Sequence, residues 1–261
     1  MIEVRRVSLS YGCIPALKDV SLDVRPGEHV AIMGPAASGK STLAKVMDGL
    51  LLPDSGKCMV DGISTCENPM YARSHVGLVF QEPEGQAVAR RVEDDVAFGP
   101  RNLGAEDLKE RVAEAIQLAG VAHLADRSIH SLSGGQKQLV AIAGALAMRP
   151  AYLALDEPTS MLDSAGVKMV ADAIARLKKE GKGIVVITHD PAMAVDADRL
   201  VVMSAGSVVA QGIPREVFSN CPEGLIELPE MARLSVSLRN KGIAAGRLWL
   251  SSQEAMKDLC P

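Results

Sequence analysis

The sequence predicts an α/β fold built on a mainly parallel sheet, and three observations carry that expectation. Short, wholly apolar runs at residues 30–33, 152–155 and 184–187 read as strands buried on both faces. Stretches with apolar residues at helical spacing alternate with them, as at Val167, Val170, Ala171, Ile174 and Leu177. The first run leads straight into a glycine-bearing loop and then a helix, the order in which a parallel sheet presents a ligand site at its carboxyl edge.

Taken in order, residues 4–9 and 20–24 read as strands, with Pro26-Gly27 as a turn. The run 30–33 enters the glycine loop, and 42–51 reads as a helix closed by Pro53 and the Asp54-Ser55-Gly56 turn. Residues 57–63 return as a strand with Asp61-Gly62 as a turn. From about 83 to 150 the character changes. Leu108, Val112, Ala115, Ile116 and Ala119 share one helix face, with Gly120 placed to end it. Leu139, Ile142, Ala143, Leu146 and Ala147 repeat the pattern, so this stretch is expected to be a helical insert in the α/β core. The core resumes at 152–155 and runs through 184–187. From Pro214 onward the pattern weakens, and Met231, Leu234 and Leu238 suggest one short helix in an extra C-terminal piece. The expected organisation is one domain over residues 1–212, with 83–150 inserted, followed by an extension over 213–261.

Composition narrows the function. The chain has 261 residues, 48% hydrophobic and 23% charged but only 3% aromatic, so its core must be aliphatic, with most of the 12 Met as filler. A net charge of −4 gives no electrostatic reason to expect a nucleic-acid partner. Five scattered Cys without metal-ligand spacing fit reduced thiols in a cytosolic protein. No apolar stretch follows the N-terminus as in a signal peptide, and none approaches the ~18 residues needed to span a bilayer. Any service to a membrane is expected to run through a partner.

Three motifs carry chemistry. Gly34-Pro35-Ala36-Ala37-Ser38-Gly39-Lys40-Ser41, with Thr42 behind it, matches the phosphate-binding P-loop pattern between a strand and a helix. Backbone N–H groups and the helix N-terminus supply positive potential there. Lys40 is expected to reach the β- and γ-phosphates, and the Ser41 hydroxyl to ligate Mg²⁺. Asp156 ends the strand at 152–155, where it would hold Mg²⁺, and Glu157 follows as the residue to polarise an attacking water. Alone, the two acids would read as a solvated turn before Pro158. The third motif, Leu132-Ser133-Gly134-Gly135-Gln136, precedes an amphipathic helix and forms either a second anion site or a plain glycine turn. One fold cannot easily aim two such sites at one nucleotide, which points to a site shared between two copies.

In combination and order, these motifs resemble the nucleotide-binding subunits of ATP-binding cassette (ABC) transporters, over roughly residues 4–212. The resemblance implies a P-loop NTPase core with an antiparallel β subdomain and an inserted helical subdomain. It also implies a head-to-tail dimer holding two ATP molecules, each between the P-loop of one subunit and Ser133, Gly135 and Gln136 of the other. It assigns Gln81 to a loop that senses Mg²⁺ and contacts the membrane partner. Asp163 falls in the loop that crosses the interface, His189 contacts the γ-phosphate, and Tyr11 stacks on adenine. By itself His189 would read as a structural hydrogen-bonder, and Tyr11 as a ring packed at a sheet edge. His29, His75, His123 and His130 keep that structural reading.

Two further stretches, residues 79–86 and 92–100, resemble the ATPases of energy-coupling factor importers, as do residues 212–218 and 234–242. In that family two ATPase subunits, identical or paralogous, dock on a transmembrane coupling protein joined by a small substrate-binding membrane protein. The implied location is peripheral, at the cytoplasmic face of the membrane, and the implied cargo is a vitamin or transition-metal ion. Two departures stand out. Ala36-Ala37 replaces the usual Asn-Gly, which strains the loop if that position needs positive φ. Leu139 stands where the family often has Arg. Two other readings stay open: a partner subunit that binds ATP but hydrolyses it weakly, and a non-transport ABC ATPase.

Overall fold

The computed structural model of the protein describes residues 1–82, 85–222, 224–242 and 247–259. The chain opens with β1 (Ile2–Tyr11) and β2 (Ile14–Val24), paired antiparallel with Ile2 opposite Val24 and Val4 opposite Leu22. Alternation along β1 buries Ile2, Val4, Val7 and Leu9 on one face, as a half-buried strand requires. Next come β3 (His29–Met33) and α1 (Lys40–Met47), then β4 (Ser55–Val60) and β5 (Ile63–Ser64). β4 pairs with the free edge of β1, completing an antiparallel sheet of order β2-β1-β4-β5.

The chain then crosses through α2 (Pro69–His75) to β6 (Val76–Val79) and enters the helical stretch. This holds α3 (Val92–Val96), α4 (Phe98–Asn102), α5 (Leu108–Ala119) and α6 (Gly134–Leu146). Gly120 ends α5 at φ +79, the left-handed stop its sequence suggests. Strands and helices alternate again through β7 (Tyr152–Asp156), α7 (Ser164–Lys179), β8 (Gly183–Ile187), α8 (Pro191–Val195), β9 (Arg199–Ser204) and β10 (Ser207–Gly212). The second sheet has the order β10-β9-β3-β8-β7-β6. Five strands run parallel and only the edge strand β10 is antiparallel. All of β3, β7 and β8 is buried, which explains their unbroken apolar runs.

One core lies between the two sheets around α1, and another joins α3, α5, α6 and α7 to β7 and β8. A third is closed by α9 (Pro214–Asn220) and α10 (Glu230–Asn240), while α11 (Ser252–Leu259) packs in a small fourth around Trp249. In the third, Val217, Phe218, Ala232 and Leu248 cover Ala31, Met33, Leu200 and Val202. Trp249, the sole tryptophan of the sequence, is fully buried beside Met231 and Leu238 and donates its indole N–H to Asp258 Oδ2 at 2.7 Å.

The structure departs from the sequence reading at several points. The helix expected over 42–51 ends at Met47, because Gly49 turns the chain at φ +74 against α2. Among the described residues the extension holds three helices rather than one, and Leu234 on the expected apolar face is 40% exposed. Cys13, Cys58, Cys66 and Cys221 are free thiols, as expected; burial pushes the Cys58 thiol up to about 12. Cys260, and Pro83 and Glu84 at the start of the expected insert, lie outside the described residues. Among the described residues, no helix is long and apolar enough to cross a membrane.

Candidate functional site

Between β3 and α1 the chain is forced into a tight cradle. Gly34 and Gly39 have φ of +145 and +98, and a Cβ would collide with the carbonyl oxygen of Met203 at the first and of Ala16 at the second. Only glycine fits either position. Ala37 also sits at positive φ, +58, so the suspected strain at that position is real. No side chain caps the start of α1, which leaves its first N–H groups to an anion. Lys40 is buried and folds back on the loop, its Nζ donating to the carbonyls of Gly34 and Pro35, each at 2.8 Å. Burial lowers its pKa, opposed by the charges of Glu157 and Asp156. Half-exposed Tyr11 flanks the cradle, its hydroxyl 3.4 Å from Thr42 Oγ1.

The end of β7 brings the acids to the same place. Asp156 is buried, and its Oδ1 has no hydrogen-bond partner in the protein. A buried, unpaired carboxylate oxygen calls for a ligand. Ser41 and Gln81 line the adjoining cleft, and their side-chain oxygens with that of Asp156 would suit a hard cation such as Mg²⁺. Among the described residues no group of three His, Cys, Asp or Glu forms a protein-only metal site, so phosphate and water would complete the shell. Glu157 follows in a left-handed conformation at φ +49, its N–H donating to Ile187 O at 2.9 Å. Its Oε2 accepts the backbone N–H of His189, and its Oε1 lies 3.2 Å from His189 Nε2. Burial raises the Glu157 pKa, and His189 and Lys40 oppose the shift. Exposed Gln81 donates to Ser160 Oγ at 3.2 Å. Ala36, Ala37, Lys40, Ser41, Gln81, Glu157 and His189 thus line one open cleft of about 600 Å³.

Ser133, Gly135 and Gln136 do not line that cleft. They open α6 with a capping box: Ser133 Oγ accepts the Gln136 N–H at 3.3 Å, and Gln136 Oε1 accepts the Ser133 N–H at 3.1 Å. Asp163 caps α7 through a single bond, its side chain accepting the Gly166 N–H at 2.8 Å. Sequence reasoning missed Thr159, Ser160, Leu162, Thr188 and Asp190, which also line the cleft. Of these, Asp190 carried a signal: it precedes Pro191 and caps α8, accepting the Ala192 N–H at 2.9 Å.

A glycine cradle at a helix N-terminus, facing a buried acidic strand end and a glutamate–histidine pair, defines a P-loop nucleotide-hydrolysing cassette. Residues 17–160 match the family model described as ABC transporter. The EcfA1 energy-coupling factor transporter ATP-binding protein of Symbiobacterium thermophilum is 49% identical over 253 residues, covering 94% of this chain and 88% of the relative. The solved structure of cbiO1 from Clostridium perfringens, part of the ABC transporter complex cbiONQ, is 34% identical with a TM-score of 0.79, over 92% of this chain and 96% of that one. The ATP-binding cassette MJ0796, solved as a dimer in a post-hydrolysis state bound to ADP and Pi, is 31% identical with a TM-score of 0.73, over 82% of this chain and 99% of that one. The chain belongs to the ABC transporter family, among the energy-coupling factor transporter ATP-binding proteins.

Proposed function

We propose that this chain is the ATP-hydrolysing subunit of an energy-coupling factor importer, working as a head-to-tail dimer. The observation that carries the reading is the division of the motifs: Lys40, Ser41, Glu157 and His189 meet in one cleft, while the capped loop at Ser133 lies outside it. Two copies facing head to tail bring the Ser133 loop of one to the Lys40 cleft of the other. The related cassette MJ0796, solved as a dimer bound to ADP and Pi, supports a dimer as the working unit.

In the proposed mechanism, the α1 N-terminus and the 34–39 backbone bind the phosphates of ATP, and Lys40 exchanges its two carbonyl contacts for phosphate oxygens. Tyr11 stacks on adenine. Mg²⁺, held by Ser41, Asp156 and Gln81, supplies charge neutralisation to the phosphates when bound. Glu157 orients the attacking water and holds its proton, with His189 aligning the carboxylate and contacting the γ-phosphate. The partner's Ser133 loop, through Ser133, Gly135 and Gln136, closes the site against water. Such chemistry is positioning plus electrostatics, which a rigid cradle supplies.

The proposed unit of catalysis is residues 1–212, with the helical stretch inserted over 83–150 and residues 213–261 as a dimerisation element. The proposed membrane partners are a transmembrane coupling protein and a small substrate-binding protein, met at the cytoplasmic face, with no nucleic acid involved. A second reading, a weakly hydrolysing partner of a paralogous ATPase, draws on Ala37 at φ +58.

Affinity purification of tagged Glu157→Gln from detergent-solubilised membranes with Mg-ATP tests the proposal. Recovery of a multi-spanning protein and a small membrane protein is expected. Recovery of soluble partners or nucleic acid alone would overturn it.

A further inference from the structure

Two helix N-termini meet backbone to backbone where α6 and α7 begin. A Cβ built on Gly135 would lie 2.7 Å from the Gly166 Cα, and one built on Gly166 would lie 3.3 Å from the Gly135 Cα. Both glycines are buried within helices and neither has a left-handed φ. Backbone conformation therefore does not require glycine at either position; the close approach requires it at Gly135 and leaves little room at Gly166. Glycine is a poor helix former, so both helices give up intrinsic stability to keep this contact.

The contact is held from several sides. Asp163 Oδ1 accepts the Gly166 N–H at 2.8 Å. A Cβ on Gly134 would meet Leu162 Cδ2 at 3.2 Å, and one on Gly166 would meet Leu162 Cβ and Asp163 Oδ1 at 3.1 Å. One turn further along α6, Gln138 is 1% exposed and shares with Glu157, Pro158, Met161 and Leu162 a cavity of about 240 Å³. The start of α6 is thus seated on the chain that runs from Glu157 to Gly166.

We propose that Gly166 is a positioning residue, fixing the Ser133 loop and the Asp163 loop of one chain as a single rigid edge that meets the partner's nucleotide. The inference rests on the head-to-tail reading above. It goes further by assigning to Gly166, which does not line the Lys40 cleft, the spacing between the two loops. A side chain at 166 pushes the Ser133 cap away from Asp163, so both loops cannot seat on one ATP together. Leu162 and Val167, which adjoin Gly166, form one wall of the Lys40 cleft of the same chain, but Ala36, Ala37, Lys40 and Ser41 lie on the separate β3–α1 segment, so the intrinsic nucleotide affinity is expected to be kept.

The experiment compares Gly166→Ala and Gly166→Val in the full chain. In a Glu157→Gln background, sedimentation with Mg-ATP reads dimerisation, and a fluorescent ATP analogue reads binding to the monomer. With Glu157 intact, steady-state assays separate kcat from KM. Gly166→Val is expected to weaken ATP-driven dimerisation and lower kcat tenfold or more, with monomer affinity within twofold. Gly166→Ala, which needs its neighbours to yield by only a few tenths of an ångström, is expected to fold and to lose less in the same direction. Should the valine variant not fold, the alanine variant decides. Dimerisation and kcat at the parent's level in the folded variants would overturn the positioning role, as would monomer affinity falling as steeply as dimerisation. A Glu157→Gln parent that itself fails to dimerise with ATP would instead remove the head-to-tail reading, and this inference with it.

Discussion

The His189 backbone N–H donates to Glu157 Oε2 at 3.2 Å, and the His189 ring nitrogen Nε2 sits 3.2 Å from Glu157 Oε1, a buried oxygen that accepts no hydrogen bond in the protein. The strand end and the loop after β8 are thereby tied together at the carboxylate that would align water. Burial disfavours the ionised carboxylate, while His189 favours it.

A pH dependence follows. Only the ionised form accepts a proton, so turnover is expected to rise as pH climbs through the elevated Glu157 pKa. His189→Ala removes an opposing influence, so the acidic limb of kcat should move to higher pH. It should also lower kcat by roughly 10²–10³, the cost of losing a polar group that stabilises developing charge. Steady-state rates from pH 5 to 9 check both; an unmoved limb would separate His189 from the Glu157 carboxylate.

Ala37 should respond to the opposite kind of change. Its φ of +58 costs an L-residue roughly 1–2 kcal/mol. Glycine relieves that cost but adds about 0.4–1 kcal/mol of chain entropy to the unfolded state. Ala37→Gly is therefore expected to raise stability by about 0.5–1 kcal/mol, read as a higher denaturant midpoint. A lower midpoint would mean that the Ala37 methyl makes contacts worth more than its strain.

Asp48, just past α1, is buried, and desolvation raises its pKa to about 6 against the pull of Arg73. The folded chain then holds a proton that the unfolded chain releases near pH 4. Stability is full below that value and is lost as pH rises through about 6, by roughly 3 kcal/mol in total. Asp48→Asn should be more stable than the parent by roughly 1–3 kcal/mol at pH 8, the gain fading by pH 4. Urea unfolding at both pH values checks the sign.

The site was legible wherever chemistry restricts residue type. Gly34, Gly39 and Lys40 could be read because a phosphate cradle needs positive φ and an ammonium in fixed order. The apolar runs of β3, β7 and β8 were legible because both faces are buried. The β9–β10 hairpin was not read, since its turn places Ala205 as well as Gly206 at positive φ and carries no Asn-Gly signal. The extension hid because its small core gathers Trp249, Met231, Leu238 and Ala255 from short, separate segments. Gly166 gave no sign either, because an ordinary helical glycine reveals its purpose only when the backbone it touches is known.

The central claim, a site completed by a second chain, has a direct measurement. Lys40→Ala destroys the cradle and keeps the Ser133 loop, while Ser133→Arg does the reverse. Each variant alone is expected to be inactive. Mixed in equal amounts with Mg-ATP, they form dimers in which one site has both halves intact, so hydrolysis should reappear well above either variant alone. A mixture as inactive as its parts, under conditions where the parent chain hydrolyses ATP, would contradict the shared site.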